Sequence, residues 1–321
     1  MSPATNATGS EQSVTRDDIL SAAGRIAGHI RETPVLPLGD VFDGGFDLSL
    51  KLESLQPTGS FKVRGAFSAL TAIEISEAGV VAASGGNFGL AVAYACQELG
   101  HGATIFVPET SPAEKTAKIA ALGADLHFIP GYYAQALEAS EEWAGDQGAV
   151  EIHAYDQLEV MAGQGTCALE ISHQVPGVTS VLVAVGGGGL IGGIASWLRD
   201  DAAVVGVEPE LCPTLHEARR QGAPVDVRVS GVAVSSLGAA RLGDLPWMAN
   251  RWIDQSLLVD DEDIVEAQTW LWETCRIVAE PSACTTVAAL LAGALEPSPE
   301  ERVVAVISGA NTGVEFSRSV E

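Results

Sequence analysis

The chain has 321 residues, 47% hydrophobic and only 18% charged, enough apolar material for a large core and more than one lobe. Acidic residues outnumber basic ones 42 to 17, for a formal charge of −25. A surface of that sign argues against nucleic acid and membranes as partners, and its plain reading is a solvated, soluble exterior. The five cysteines (Cys96, Cys167, Cys212, Cys275 and Cys284) are scattered without CxxC spacing, which reads as reduced thiols in a cytoplasmic protein.

In chain order, residues 1–15 read as a disordered tail without the basic start and apolar run of a signal peptide. Thr15 fits the N-cap of a first helix, with Asp18 completing a variant capping box. Ile19, Leu20, Ala23, Ile26 and Ile30 follow as an apolar stripe at helical spacing. Strands are expected near residues 48–52, 80–83, 103–107, 126–129, 180–185, 203–207 and 302–307. Helices are expected near 63–75, 88–99, 112–122, 132–143, 163–175, 190–199 and 213–221. Nearly continuous apolar strands alternating with helices predict an α/β fold of open parallel sheets flanked by helices. Residues 222–262 show little regular period.

Residues 180–195, SVLVAVGGGGLIGGIA, run a buried strand into four glycines and then a helix. Glycines let backbone N–H groups approach an anion closely, and the helix N-terminus adds favourable partial charge, so a phosphate site is expected. Gly187, Gly189 and Gly192 also satisfy GxGxxG, and Glu208 ends the next strand near the distance of a ribose-binding acid. On this segment alone a dinucleotide-binding oxidoreductase stays open. The uncharged run 181–198 is long enough to suggest a membrane helix, but six glycines interrupt it.

Residues 53–66 read ESLQPTGSFKVRGA, a turn followed by a helix that places Lys62 near its start. A cation is disfavoured there by the helix dipole, which makes a plain structural lysine an odd choice. Lysine is rare in the chain (Lys51, Lys62, Lys115 and Lys118), and Lys115 and Lys118 read as ordinary surface residues.

TGSFKVRGA resembles the cofactor-lysine segment of the threonine/serine dehydratase and serine racemase family. Further motifs follow in that family's order: SGGN at 84–87, AGQGTCALEI at 162–171, the glycines at 186–189, GVEP at 206–209, EPS at 280–282 and SGAN at 308–311. The dinucleotide reading explains one of these motifs and leaves the others idle. The resemblance implies the pyridoxal-phosphate fold type II, with a small domain at 79–154 and a large cofactor-binding domain from 16–78 and 155–321. It also implies a homodimer acting on a small amino acid. Feedback control through an appended effector module is not expected from a chain read to residue 321.

The family's roles fall on matching residues of this chain. Lys62 would hold pyridoxal phosphate as a Schiff base and act as base toward the α-proton, its pKa lowered by burial and neighbouring positive charge. Phe61 would pack against the cofactor ring and Asn87 would bond its ring hydroxyl. The backbone amides of Gly186, Gly187, Gly188, Gly189 and Leu190 would take the phosphate, and Ser308 would face the ring nitrogen. Ser84 and its loop would take the substrate carboxylate, and Glu280 of the EPS motif belongs to the cofactor site. The implied reaction is β-elimination of water from L-threonine or L-serine, giving a 2-oxo acid and ammonia. Racemisation, or dehydration of another 3-hydroxy amino acid, is the alternative.

Three departures bear on that reading. Gly85 stands where racemases of the family carry a serine opposite the lysine, so the second base is missing. Phe88 stands where many relatives have His. The resemblance implies a divalent cation on the GVEP glutamate, Glu208, with the Cys212 carbonyl, but Thr214 replaces the downstream acid, which should weaken such a site and leaves Glu208 at least as readable as a plain structural acid.

Overall fold

The computed structural model describes residues 13–313. Its strands are β1 (Val35–Gly39), β2 (Asp47–Lys51), β3 (Val80–Ala83), β4 (Ala103–Pro108), β5 (Asp125–Ile129), β6 (Val150–Glu151), β7 (Ser180–Ala184), β8 (Ala203–Pro209), β9 (Gln255–Val259) and β10 (Arg302–Val306). The helices of the first half are α1 (Arg16–Ile26), α2 (Lys62–Ala72), α3 (Asn87–Leu99), α4 (Ala113–Ala121), α5 (Tyr133–Gln147) and α6 (Leu158–Gln174). Those of the second half are α7 (Gly189–Leu198), α8 (Thr214–Gln221), α9 (Val234–Leu237), α10 (Asp244–Met248), α11 (Asp261–Cys275) and α12 (Pro281–Leu291).

Two sheets result. The larger runs β1-β2-β10-β7-β8-β9 and the smaller β5-β4-β3-β6. Every pairing is parallel except that of the edge strand β1 with β2. The α/β fold of helix-flanked parallel sheets read from the sequence is therefore the observed one. Pro37 interrupts the apolar pattern of β1 and is tolerated there because an edge strand has one unpaired side.

The central strands β3, β4, β7, β8 and β10 are buried on both faces, which is why they are apolar without alternation. Along β7, Val181 and Val183 enter one core while Leu182 enters the core on the other face. Each such side chain contributes roughly 1.5–3 kcal/mol on burial, so a charge at Leu182 would split the sheet from its helices.

α1 begins as expected, with the Thr15 hydroxyl accepting the Asp18 amide and the Asp18 carboxylate accepting the Thr15 amide. Its buried stripe is Ile19, Ala22 and Ile26, whereas Leu20 is half exposed and Ile30 lies beyond the helix. The spacing i, i+3, i+7 from Ile19 accounts for the difference. Of the expected tail, residues 1–12 lie outside the described residues, and Val14 is buried in the core. The region 222–262 holds the short helices α9 and α10 and strand β9, too brief to show a period. Among the described residues no helix is long and apolar enough to cross a membrane, and none of the five cysteines is paired.

Candidate active site

The carboxyl ends of β3, β7 and β10 converge where the expected site residues lie. Phe61 caps α2, so Lys62 is its first residue and carries its amine at the amino end of the helix, as the sequence suggested. Lys62 Nζ donates to Ala154 O (3.0 Å) and stands 5.1 Å from the Phe61 ring and 5.6 Å from the Phe88 ring. Burial lowers its pKa to about 8, opposed by the negative charge of Glu280. The expected help from neighbouring positive charge is absent among the causes. Desolvation supplies the shift, and Phe88, itself 2% exposed, forms part of the apolar wall.

β7 delivers the glycine loop. The first amide of α7 to bond backward is that of Gly192, to Gly188 O (2.8 Å). The amides of Gly186, Gly187, Gly188, Gly189 and Leu190 therefore have no backbone acceptor among the described residues, the arrangement that suits an anion. Side chains are shut out of the loop. A Cβ on Gly187 would meet the Tyr155 ring at 2.4 Å, one on Gly189 would meet Tyr155 at 2.9 Å, and Gly188 has φ +90°. A cradle of free amides in which side chains do not fit matches a phosphate group.

β3 delivers the SGGN loop. Asn87 is the first residue of α3 rather than its cap, and its side chain crosses to the larger sheet. Its Nδ2 donates to Glu280 Oε1 (2.6 Å) and its Oδ1 accepts from Asn311 Nδ2 (2.9 Å). Ser84 Oγ accepts the Gly86 amide (3.2 Å), and the first backward bond of α3 is Leu90 N to Gly86 O (3.1 Å). With the Ser84 amide on Phe106 O and that of Gly86 on Ser84 Oγ, the amides of Gly85, Asn87, Phe88 and Gly89 remain as a second set of donors without a backbone acceptor among the described residues.

Two residues beyond the end of β10 lies Ser308, 5% exposed, whose carbonyl accepts the Phe61 amide (3.0 Å). Glu280 caps α12 and is buried; burial raises its pKa, while Lys115, Asn87 and Ser236 draw it back down. Phe61, Lys62, Ser84, Asn87, Gly186–Leu190, Glu280 and Ser308 are all brought to this one cleft.

Four contributors were not foreseen. Asn311 bonds both Asn87 and Thr58 O (2.9 Å), tying the SGGN loop to the lysine loop. Lys115, read as a surface residue, has a side chain only 14% exposed that reaches Ser235 Oγ (3.4 Å) and Glu280 Oε2 (3.9 Å). Tyr155 backs the glycine loop. Ser111 occupies the space beside Gly85, where a Cβ on the glycine would fall 2.0 Å from its Oγ. Asn311 could have been found from its motif; the other three depend on packing between distant segments.

Glu208 does not join the cleft. Buried at the end of β8, it accepts the amides of Leu215 and His216, and burial raises its pKa to about 7. Committed to those amides, it is not available to a ribose.

Comparison with known proteins agrees with this geometry. The profile of the family described as "Pyridoxal-phosphate dependent enzyme" matches residues 26–309. The L-threonine ammonia-lyase of Thermotoga maritima is 34% identical over 310 residues, covering 94% of this chain and 76% of that protein. Maize serine racemase superposes with a TM-score of 0.89 at 29% identity, covering 94% of this chain and 95% of that one. The threonine deaminase of T.th. gives 0.86 at 33% identity, covering 94% and 100%. With the profile spanning most of the chain and the lysine, glycine and asparagine loops meeting in one cleft, the chain belongs to the pyridoxal-phosphate-dependent enzyme family, within its threonine/serine dehydratase and serine racemase group.

Proposed function

We propose that this protein is an ammonia-lyase that removes water from L-threonine or L-serine and releases a 2-oxo acid and ammonia. The observation that carries the reading is the Lys62 amine, enclosed between Phe61 and Phe88 with its pKa lowered to about 8 beside a cradle of amides that lack backbone acceptors. The likeness to the Thermotoga maritima L-threonine ammonia-lyase supports the reaction class.

Lys62 would hold the cofactor and the glycine loop with Leu190 would hold its phosphate. Asn87, set by Glu280 and Asn311, would bond its ring hydroxyl, Phe61 would pack on the ring, and Ser308 would face its nitrogen. When bound, pyridoxal phosphate supplies an electron sink for the pair left on the α-carbon. The chain's own groups do the rest. Ser84 and the free amides before Leu90 take the substrate carboxylate, and Lys62 Nζ takes the α-proton. Loss of that proton and of the β-hydroxyl yields an enamine, and water converts it to the 2-oxo acid and ammonia. A depressed lysine pKa serves this chemistry because it raises the fraction of amine that is unprotonated near neutral pH far above that of an ordinary lysine.

A second reading, racemisation, draws on the likeness to maize serine racemase and on Ser111, whose hydroxyl stands beside Gly85 where a second proton carrier would be wanted. D-serine appearing from L-serine on chiral chromatography, faster than pyruvate, would favour it. We further propose a homodimer in the cytoplasm; unpaired cysteines fit a reducing compartment.

Lys62→Ala tests the proposal. Turnover is expected to fall by at least about 10²–10⁴-fold with the circular-dichroism spectrum unchanged, since the base is removed and no core side chain is. Undiminished turnover in a folded variant would overturn it.

A further inference from the structure

Glu208 and its surroundings form a buried, hydrogen-bonded polar cluster outside the cleft. Both Glu208 and Thr214 are 0% exposed. Glu208 Oε1 accepts the Leu215 amide (2.7 Å) and faces Thr214 Oγ1 (3.1 Å). Oε2 accepts the His216 amide (2.8 Å) and the Ser256 hydroxyl (3.3 Å). The Thr214 hydroxyl also lies 2.5 Å from Gly186 O, the first residue of the glycine loop.

Leu215 and His216 stand in the first turn of α8, so their amides are donors the helix cannot satisfy itself, and the positive end of its dipole points at the carboxylate. A hard cation asks for about six to eight oxygen ligands. Beside Glu208 it would have to displace two amides and would sit against that positive end. The second expected ligand, Cys212 O, already accepts the Thr214 amide (3.2 Å), which leaves it one lone pair, and no carboxylate stands at position 214 to complete the set. The residues present do not fit a divalent ion.

We propose that Thr214 is a built-in substitute for such an ion: its one hydroxyl proton, shared between the Gly186 carbonyl (2.5 Å) and Glu208 Oε1 (3.1 Å) as a three-centre bond, fixes the glycine loop from behind without metal. Thr214 is a positioning residue, acting on the phosphate through the loop, and the proposal rests on the reading of that loop as the phosphate cradle. The ties run from β8 through Glu208 to α8 and from Thr214 to the loop, so the end of β7 is held by its neighbour strand's own carboxylate.

The test uses the holoenzyme and two readouts other than turnover: thermal melting and release of cofactor into a filtrate. Wild type should melt and release cofactor identically in EDTA and in millimolar Mg²⁺ or Ca²⁺. Thr214→Val should release cofactor about five- to tenfold faster, the loss of one buried hydrogen bond, with no rescue by either ion. Thr214→Ser should return release to the wild-type rate, which separates the hydroxyl from packing. A bound divalent ion on elemental analysis, a wild-type melting point raised by Mg²⁺, or wild-type release from Thr214→Val would each overturn the proposal. The cradle is checked separately by titrating cofactor-free protein with pyridoxal phosphate and with pyridoxal. Equal affinities would overturn the cradle itself, and this proposal with it.

Discussion

Lys62 shows how one residue can be legible in kind and not in cause. Its rarity and its place at a helix start marked it, yet the source of its depressed pKa is packing by Phe61 and Phe88, which no motif states. The depression has a direct consequence for the cofactor-free protein. An amine attacks a carbonyl only when neutral, so reattachment of pyridoxal phosphate should speed up with rising pH and level off above about 8, where the amine is already free. Stopped-flow absorbance on apo-protein measures this; a rate still climbing at the pH of an ordinary lysine would contradict it. The lack of a side chain at Gly85 was visible, but not that Ser111 Oγ fills the gap. Gly85→Ser therefore needs Ser111 to move, and should lower the melting temperature as overpacking does, by about 1–3 kcal/mol in stability.

Among the elements, α2 is held by a charge network that the sequence did not announce. Arg64, two residues past Lys62, is fully buried and pairs twice with Glu53 (2.7 Å each) and twice with Glu170 (2.7 and 2.8 Å). Lys51, also fully buried, donates to Glu170 (2.5 Å), Gln174 (2.8 Å) and Thr33 O (2.7 Å). Burial pushes the Glu53 pKa up, but Arg64 and Lys51 outweigh it and hold the carboxyl below its usual range. Arg64→Met would strand Glu53 in the interior, so a loss of about 3–5 kcal/mol is expected in denaturant unfolding. A change below about 1 kcal/mol would show the network to be idle. Strands and most helices were readable from apolar runs and glycine punctuation. α11 and α12 went unassigned although their caps were in view: Asp260 accepts the Asp263 amide, and Pro281 opens α12. Edge strand β1 and the short α9 and α10 were not readable, because a strand with one exposed side and helices of four or five residues leave no period.

Across the cleft the segments of the two sheets are tied to one another. Asn87 and Lys115 come from segments of the smaller sheet, and both reach Glu280 at the start of α12. Lys115 also touches Ser235 in α9, and Ser236 bonds Glu280 Oε2 (3.0 Å), so a loop with no apparent period closes one side of the site. With side chains only 14% and 4% exposed, Lys115 and Glu280 form a largely buried pair, and removing the cation leaves the buried carboxyl less compensated. Lys115→Met should thus lower the melting temperature and speed amide exchange in α9; unchanged exchange there would deny the tie. The proposed division at residues 79–154 places the SGGN loop and Lys115 on one side of that cleft and Lys62, the glycine loop, Glu280 and Ser308 on the other. Sequence motifs in family order pointed to the cleft, and long-range contacts such as Asn311 to Asn87 complete it. The most direct measurement is 2-oxo acid release by the cofactor-loaded protein offered L-threonine, L-serine, D-serine and 3-hydroxyaspartate. The account predicts product from L-threonine or L-serine, with equimolar ammonia. No 2-oxo acid from either, while the cofactor remains bound, would contradict it.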